Sequence, residues 1–100
     1  MEEDLLKIIN HYGVKNQLKY IHSEYYELDE AILANWYDVD GVTDVGYVEH
    51  IREEIADIMV MLKQIQYYYE IPDEEIEDVM KYKIQRQIER IEQDKWWDSV

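Results

Sequence analysis

An all-α fold, an antiparallel helical bundle of three main helices and a short N-terminal one, is predicted by three features of this sequence. Glycine and proline are scarce, three and one among 100 residues, so little interrupts a helix. Apolar residues recur every three or four positions almost throughout. Pro72 is followed at once by Asp73, Glu74 and Glu75, a stop signal joined to an acidic first turn.

The elements are taken in chain order. A short helix spans about Glu2 to Asn10 and ends near Gly13. The second runs from about Val14 to Asn35 on the seam Leu18, Ile21, Tyr25, Leu28, Ile32, a bundle-type stripe. From Trp36 to Asp44 the period is lost, two aromatics and three Asp accumulate around Gly41, and Thr43 or Asp44 is the expected cap of the third helix. That helix starts near Val45 on the seam Val48, Ile51, Ile55, Ile58, Leu62, Ile65, Tyr69 and stops at Pro72. The last carries Ile76, Val79, Ile84 and Ile91. No linker or low-complexity tract divides the chain, so residues 1–100 are expected to form a single domain. A chain this short buries a modest share of its surface, and oligomerisation is expected to complete the bundle.

Charge and composition narrow the function. With 24 acids against 10 Lys and Arg, the net charge of −14 opposes encounter with nucleic acid or an anionic membrane, so a cation must mediate any anionic substrate. The absence of cysteine removes disulfides, thiolate zinc sites and cysteine nucleophiles. Met1 leads directly into Glu2, Glu3 and Asp4, without a basic leader or long apolar run, and a cytoplasmic location is expected.

Two segments repeat at an offset of thirty positions. Ile21-His22-Ser23-Glu24-Tyr25-Tyr26-Glu27-Leu28 and Ile51-Arg52-Glu53-Glu54-Ile55-Ala56-Asp57-Ile58 share the order Ile, two residues, Glu, two residues, acid, aliphatic. Leu18 matches Val48 and Ile32 matches Leu62 in the same register. Residues three apart share a helix face, so Glu24 with Glu27 and Glu54 with Asp57 form two pincers beside the core seam. Antiparallel packing would set the pincers face to face. Like charges a few ångströms apart repel by roughly several kcal/mol even at an effective dielectric of about 20, so the four acids need protons or a metal. All-carboxylate ligation suits Mg²⁺ or Mn²⁺. The bland reading, a solvated acidic face, fits a lone pair better than two pairs in matching phase.

Half of all Lys and Arg lie between Lys81 and Lys95. Lys83, Gln87 and Arg90 fall on one side of the last helix with Arg86 just outside, placed either to bind a phosphate or to lay aliphatic stems over apolar surface. Ten Tyr and three Trp stand without any Phe. Trp36, in the loop, and Tyr20, one turn from Glu24, are candidates to stack on a nucleobase, against the alternative of plain packing. Of Tyr67, Tyr68 and Tyr69, only Tyr69 is assigned to the core. His50 sits one turn before Glu54, and no His pair has zinc-ligand spacing.

These residues resemble the MazG-like all-α nucleoside triphosphate pyrophosphohydrolases, whose signature is E-E-x-x-E on one helix and E-x-x-D on the next. The matching text is Ser23-Glu24-Tyr25-Tyr26-Glu27 and Glu54-Ile55-Ala56-Asp57, with Tyr12-Gly13-Val14-Lys15-Asn16-Gln17-Leu18 ahead of them and Lys83-Ile84-Gln85-Arg86 late. Ser23 stands where the first Glu of the signature usually does. The resemblance implies hydrolysis of an NTP or dNTP to the monophosphate and pyrophosphate, with Mg²⁺ held by Glu24, Glu27, Glu54 and Asp57. One of these acids, or Glu53, would accept the proton of the attacking water. Lys83, Arg86 and, as a weaker candidate, Arg90 would balance charge on the leaving pyrophosphate, and Gln17, Tyr20 and Trp36 would contact substrate. The resemblance also implies a homodimer or homotetramer. Two alternatives stand beside it: a hydrolase of the same superfamily acting on another pyrophosphate-bearing nucleotide such as phosphoribosyl-ATP, and a non-catalytic acidic helical interaction module.

Overall fold

A computed structural model describes the backbone of residues 1–36 and 45–98 and the side chains of residues 1–34 and 46–94. Four helices and no strand are found among the described residues: α1 (Glu2–Tyr12), α2 (Val14–Trp36), α3 (Val45–Tyr68) and α4 (Asp73–Asp98). The fold is all-α, as its sequence predicts. The expected caps Thr43 and Asp44 lie outside the described residues. None of the helices is long and apolar enough to cross a membrane.

The chain divides into two compact units, Met1–Tyr69 and Glu70–Val100. In the first, α1 carries Glu2, Glu3 and Asp4 in its opening turn, where they complement the helix dipole. It ends at Gly13, whose φ of 88° is strained for any residue with a Cβ. The Gly13 amide donates to the Ile9 carbonyl at 2.8 Å. Asn16, already in α2, donates from Nδ2 to the Tyr12 carbonyl at 2.8 Å, so one side chain satisfies an otherwise orphaned acceptor across the joint.

α2 and α3 run antiparallel: Gln17 meets Gln64 near one end, Glu24 approaches Glu54 midway, and Ala31 and Tyr47 line one cleft near the other. The face that α2 buries is Gln17, Ile21, Glu24, Leu28 and Ala31, and α3 answers with Ile51, Glu54, Ile58, Met61 and Gln64, all buried or half-buried. This corrects the expected seams. Their Ile21, Leu28, Ile51, Ile58 and Ile65 are half-buried, but Leu18, Tyr25, Val48, Ile55, Leu62 and Tyr69 are exposed, and Tyr67 instead of Tyr69 joins the core. With Ile21, Leu28, Ile51 and Ile58 common to both, the contact is rotated by less than one position, roughly 50–70° on a helix, toward polar residues.

Among the described residues of this unit the buried hydrophobic side chains are Leu5, Ile9, Ala31, Met61 and Tyr67, with Ile9 fully enclosed. At their centre Gln17 Nε2 donates to Gln64 Oε1 at 2.8 Å, and Gln64 Nε2 faces the Met61 sulfur at 3.7 Å. Gln64 is 1% exposed, so its amide depends on these partners.

In the second unit, the Pro72 carbonyl accepts from the amides of Glu75 (3.2 Å) and Ile76 (3.4 Å) and so opens α4. Asp73, Glu74 and Glu75 supply its acidic first turn. Glu70, just before it, has a φ of 56°, a left-handed conformation that glycine would adopt at lower cost. Apolar side chains of α4, including Val79, Met80, Ile84, Ile88 and Ile91, are exposed.

Because the Gln pair spans α2 and α3, Gln17→Leu is expected to strand a buried amide and to cost about 1–3 kcal/mol. Chemical denaturation checks this, and Gln17→Leu combined with Gln64→Leu should recover most of the loss. A double variant as unstable as the single one would show that the pair is not coupled.

Candidate metal centre

Glu24 occupies the middle of the α2 face turned to α3, and Glu54 the middle of the α3 face turned to α2. Glu27 follows Glu24 by one turn and reaches the same point from a more exposed position. One carboxylate oxygen from each of Glu24, Glu27 and Glu54 lies within 4.8 Å of the other two, a spacing that a single cation can span.

The electrostatics of the cluster follow from burial. Glu54 is only 7% exposed, and its Oε2, like that of Glu24, is buried without a hydrogen-bond partner. Lost hydration holds both carboxyls above the usual carboxylate range. The neighbouring charges of Glu27 and Asp57 push both the same way, Glu54 adds to the effect on Glu24, and close approach of Glu27 stabilises the protonated form of each. The opposing influence is small: His50 Nε2 stands 3.9 Å from Glu54 Oε1 and pulls that carboxyl down less than the other causes raise it. A divalent cation fits this donor set, because it would satisfy the two orphaned oxygens and remove the mutual repulsion at once. Glu24, Glu27 and Glu54 would hold it.

Asp57 is exposed and stands outside this three-carboxylate set, although its charge is felt by both Glu24 and Glu54. Glu53 is also exposed and outside it. Tyr20 is exposed one turn before Glu24. Gln17 is buried with its amide engaged by Gln64. Trp36, expected in the loop, is instead the last residue of α2, and its side chain lies outside the described residues. Lys83, Arg86 and Arg90 line, with Gln87, a shallow depression of about 110 Å³ on α4, and the Arg86 guanidinium lies 6.0 Å from the Tyr82 ring centroid. They belong to the second unit.

Beside the carboxylates lies a cleft of about 460 Å³ lined by Glu27, Glu30, Ala31, Ala34, Tyr47, His50 and Glu54. Its size is within the range of small-molecule sites. Tyr47, Ala31, Ala34 and Glu30 were not among the residues that sequence reasoning selected. Two spacings carried the signal: Tyr47, His50 and Glu54 fall at i, i+3 and i+7 on one face, and Ala31 with Ala34 forms a small-residue step that leaves room opposite the tyrosine. Models of known protein families, curated proteins and solved structures were each compared with this chain, and none matches.

The raised carboxyls make stability depend on pH in a definite direction. A group whose native pKa exceeds its unfolded value of 4.5 stabilises the fold fully below that value, and this contribution is lost as pH rises through the native pKa. In chelator, the melting temperature is therefore expected to fall as pH is raised from about 5 to about 7. Glu54→Gln should flatten that fall and raise the metal-free melting temperature at neutral pH. A variant melting curve that tracks wild type across this range would contradict the burial and repulsion assigned to Glu54.

Proposed function

We propose that this chain is a MazG-like, Mg²⁺-dependent nucleoside triphosphate pyrophosphohydrolase, converting an NTP or dNTP and water to the monophosphate and pyrophosphate. The observation that carries the metal part of this reading is the pair of orphaned, buried carboxylate oxygens on Glu24 and Glu54, converging with Glu27. The substrate class rests on the motif resemblance, and the adjoining cleft is compatible with it in size and in its aromatic wall. Mn²⁺ is an acceptable substitute, since both ions prefer oxygen ligands.

In this reading Glu24, Glu27 and Glu54 would hold Mg²⁺, which would supply charge neutralisation for the triphosphate and a more acidic water at the site. The chain's own residues do the rest. Glu24 and Glu54, fixed by helix packing, hold position with little reorganisation, which favours a preformed charge pattern over one assembled on binding. Glu27, Asp57 and Glu53 are exposed carboxylates able to take a proton from water; Glu27 is the candidate that also belongs to the three-carboxylate set. Tyr47 offers a flat apolar wall against which a nucleobase can lie, with Ala31 and Ala34 as the small residues opposite. Tyr20 and Trp36 remain candidate base contacts and Gln17 a candidate positioning residue for α2. Lys83, Arg86 and, more weakly, Arg90 are assigned to charge on the leaving pyrophosphate. Such a role would be served in the cytoplasm, where nucleotides are abundant.

Pyrophosphate release from a panel of nucleotides, phosphoribosyl-ATP included, tests this reading with and without Mg²⁺. Turnover is expected only with metal, and Glu54→Ala and Asp57→Ala are each expected to reduce kcat/KM by on the order of 10²-fold or more. Activity untouched by both substitutions would sink the site assignment, and no turnover of any nucleotide would favour the non-catalytic interaction module.

Binding of the metal to the folded state alone should raise the melting temperature by mass action; at a hundredfold excess over Kd the gain is about 2.7 kcal/mol. Glu24→Gln and Glu54→Gln should each diminish the shift. A melting temperature indifferent to millimolar Mg²⁺ and Mn²⁺ would argue against a preformed centre.

A further inference from the structure

Glu30 is an acid that the metal centre does not use. It lines the cleft of about 460 Å³ together with Glu27 and Glu54, yet it stands outside the three-carboxylate set, and no ion pair or hydrogen bond engages it among the described residues. In a chain with 24 acids, an exposed carboxylate is ordinarily a solvated one. The layout of the cleft argues for more. Because α2 and α3 are antiparallel, Glu27, Glu30 and Ala34 on one helix and Glu54, His50 and Tyr47 on the other lead from the carboxylates toward the same end. At about 1.5 Å per residue, Glu30 lies about 4.5 Å beyond Glu27 and His50 about 6 Å beyond Glu54, whereas Ala34 and Tyr47 each lie about 10 Å along. The cleft thus passes from carboxylates that fit a cation, through a polar level at Glu30 and His50, to an apolar level at Tyr47 and the alanines. That order matches the connectivity of a nucleotide, whose sugar joins phosphates on one side to a base on the other. His50 Nε2 is 3.9 Å from Glu54 Oε1, too far for a hydrogen bond, so the polar level is not closed by that pair. Independently of Glu30, Glu54 points to a ligand here: it is 7% exposed, lines the cleft, and carries an oxygen without a partner.

We infer that Glu30 reads the sugar in this cleft, accepting hydrogen bonds from the vicinal 2′- and 3′-hydroxyls of a ribose, so that ribonucleoside triphosphates are taken in preference to their 2′-deoxy counterparts. The inference rests on the hydrolase reading and deepens it. Charge is what singles out Glu30. A carboxylate one level from a triphosphate repels it, and so lowers affinity for every nucleotide unless the ligand brings it a donor. An ionised carboxylate can only accept, which rules out phosphate oxygens as its partners and leaves hydroxyls and amino groups. Amino groups of a base would lie further on, at the level of Tyr47. A ribose offers two adjacent hydroxyls at the level of Glu30, and acceptance from the 2′-hydroxyl is the use that dinucleotide-binding folds make of an acid. A deoxyribose brings one donor fewer and leaves the repulsion less offset.

The test compares kcat/KM, in Mg²⁺, for ribonucleoside triphosphates and for 2′-deoxy counterparts carrying the same bases. The wild-type chain is expected to favour the ribo form by on the order of 10-fold, mainly through KM. Glu30→Ala is expected to bring that ratio close to one, while the rise in melting temperature with Mg²⁺ stays as in wild type because the three-carboxylate set is untouched. Asp29→Asn removes an equal charge from the adjacent exposed position, outside the cleft lining, and is expected to keep the ratio. Metal-dependent turnover with a wild-type ratio near one, or a ratio that Glu30→Ala leaves unchanged, overturns this inference and leaves the hydrolase reading standing. Absence of turnover with either sugar is a different result, which removes the hydrolase reading and the sugar assignment with it.

Discussion

The constraint on which this structure turns is the presence of carboxylates inside a helix contact. Glu24 and Glu54 take central positions between α2 and α3 that a simpler bundle would fill with leucine or isoleucine, and each leaves one buried oxygen without a partner. A charge so placed loses hydration and gains like charges as neighbours, which together outweigh the pull of His50 on Glu54, so both carboxyls are held toward their protonated form. No stabilising return for this arrangement is found among the described residues. A cation would supply one, and three oxygens within 4.8 Å of one another are a spacing that one cation can span.

Packing elsewhere adjusts to this constraint. With acids at the middle of the contact, the two helices are rotated so that Gln17 and Gln64, hydrogen-bonded to each other, close one end of it, and Ala31 with Ala34 leaves a cleft at the other. The polar pair can also fix the axial register of α2 against α3, because sliding either helix would strand a buried amide. The rotation costs hydrophobic burial. The aliphatic positions that best match a bundle stripe are turned outward, and the interior of the first unit depends on Ile9, Leu5, Met61 and Tyr67, drawn largely from α1 and the C-terminal half of α3. Acids in the middle of the helix contact thus go together with the carboxylate cluster and with the outward-turned aliphatic seam.

The second unit obeys different rules. α4 is acidic in its first turns and basic between Lys81 and Lys95, a charge order aligned with its own dipole. Lys83, Arg86 and Arg90 gather on one face because they recur at three- and four-residue spacing, and the Tyr82 ring beneath Arg86 adds a cation–π contact.

The sequence by itself determined the helical class, the start of each helix, and the convergence of three of the four selected acids on α2 and α3. These depend on local propensity, on Pro72 and Gly13, and on spacing along one helix, all of which are properties of neighbouring residues. The repeat at thirty positions carried the site further, since two helices in equivalent phase must offer equivalent faces to each other. Only the tertiary structure decided which face that is. Hydrophobic periodicity pointed to Leu18, Tyr25, Val48 and Ile55 as the inner stripe, and it could not distinguish a stripe that packs within the hairpin from one that packs outside it, because both obey the same period. Nor could spacing alone reveal the cleft at Tyr47, which exists because small residues on one helix meet an aromatic on another. Of the four acids that periodicity placed at the edge of the core, Glu24 and Glu54 proved, once the two helices were set together, to lie in the middle of their contact, while Glu27 and Asp57 stay exposed.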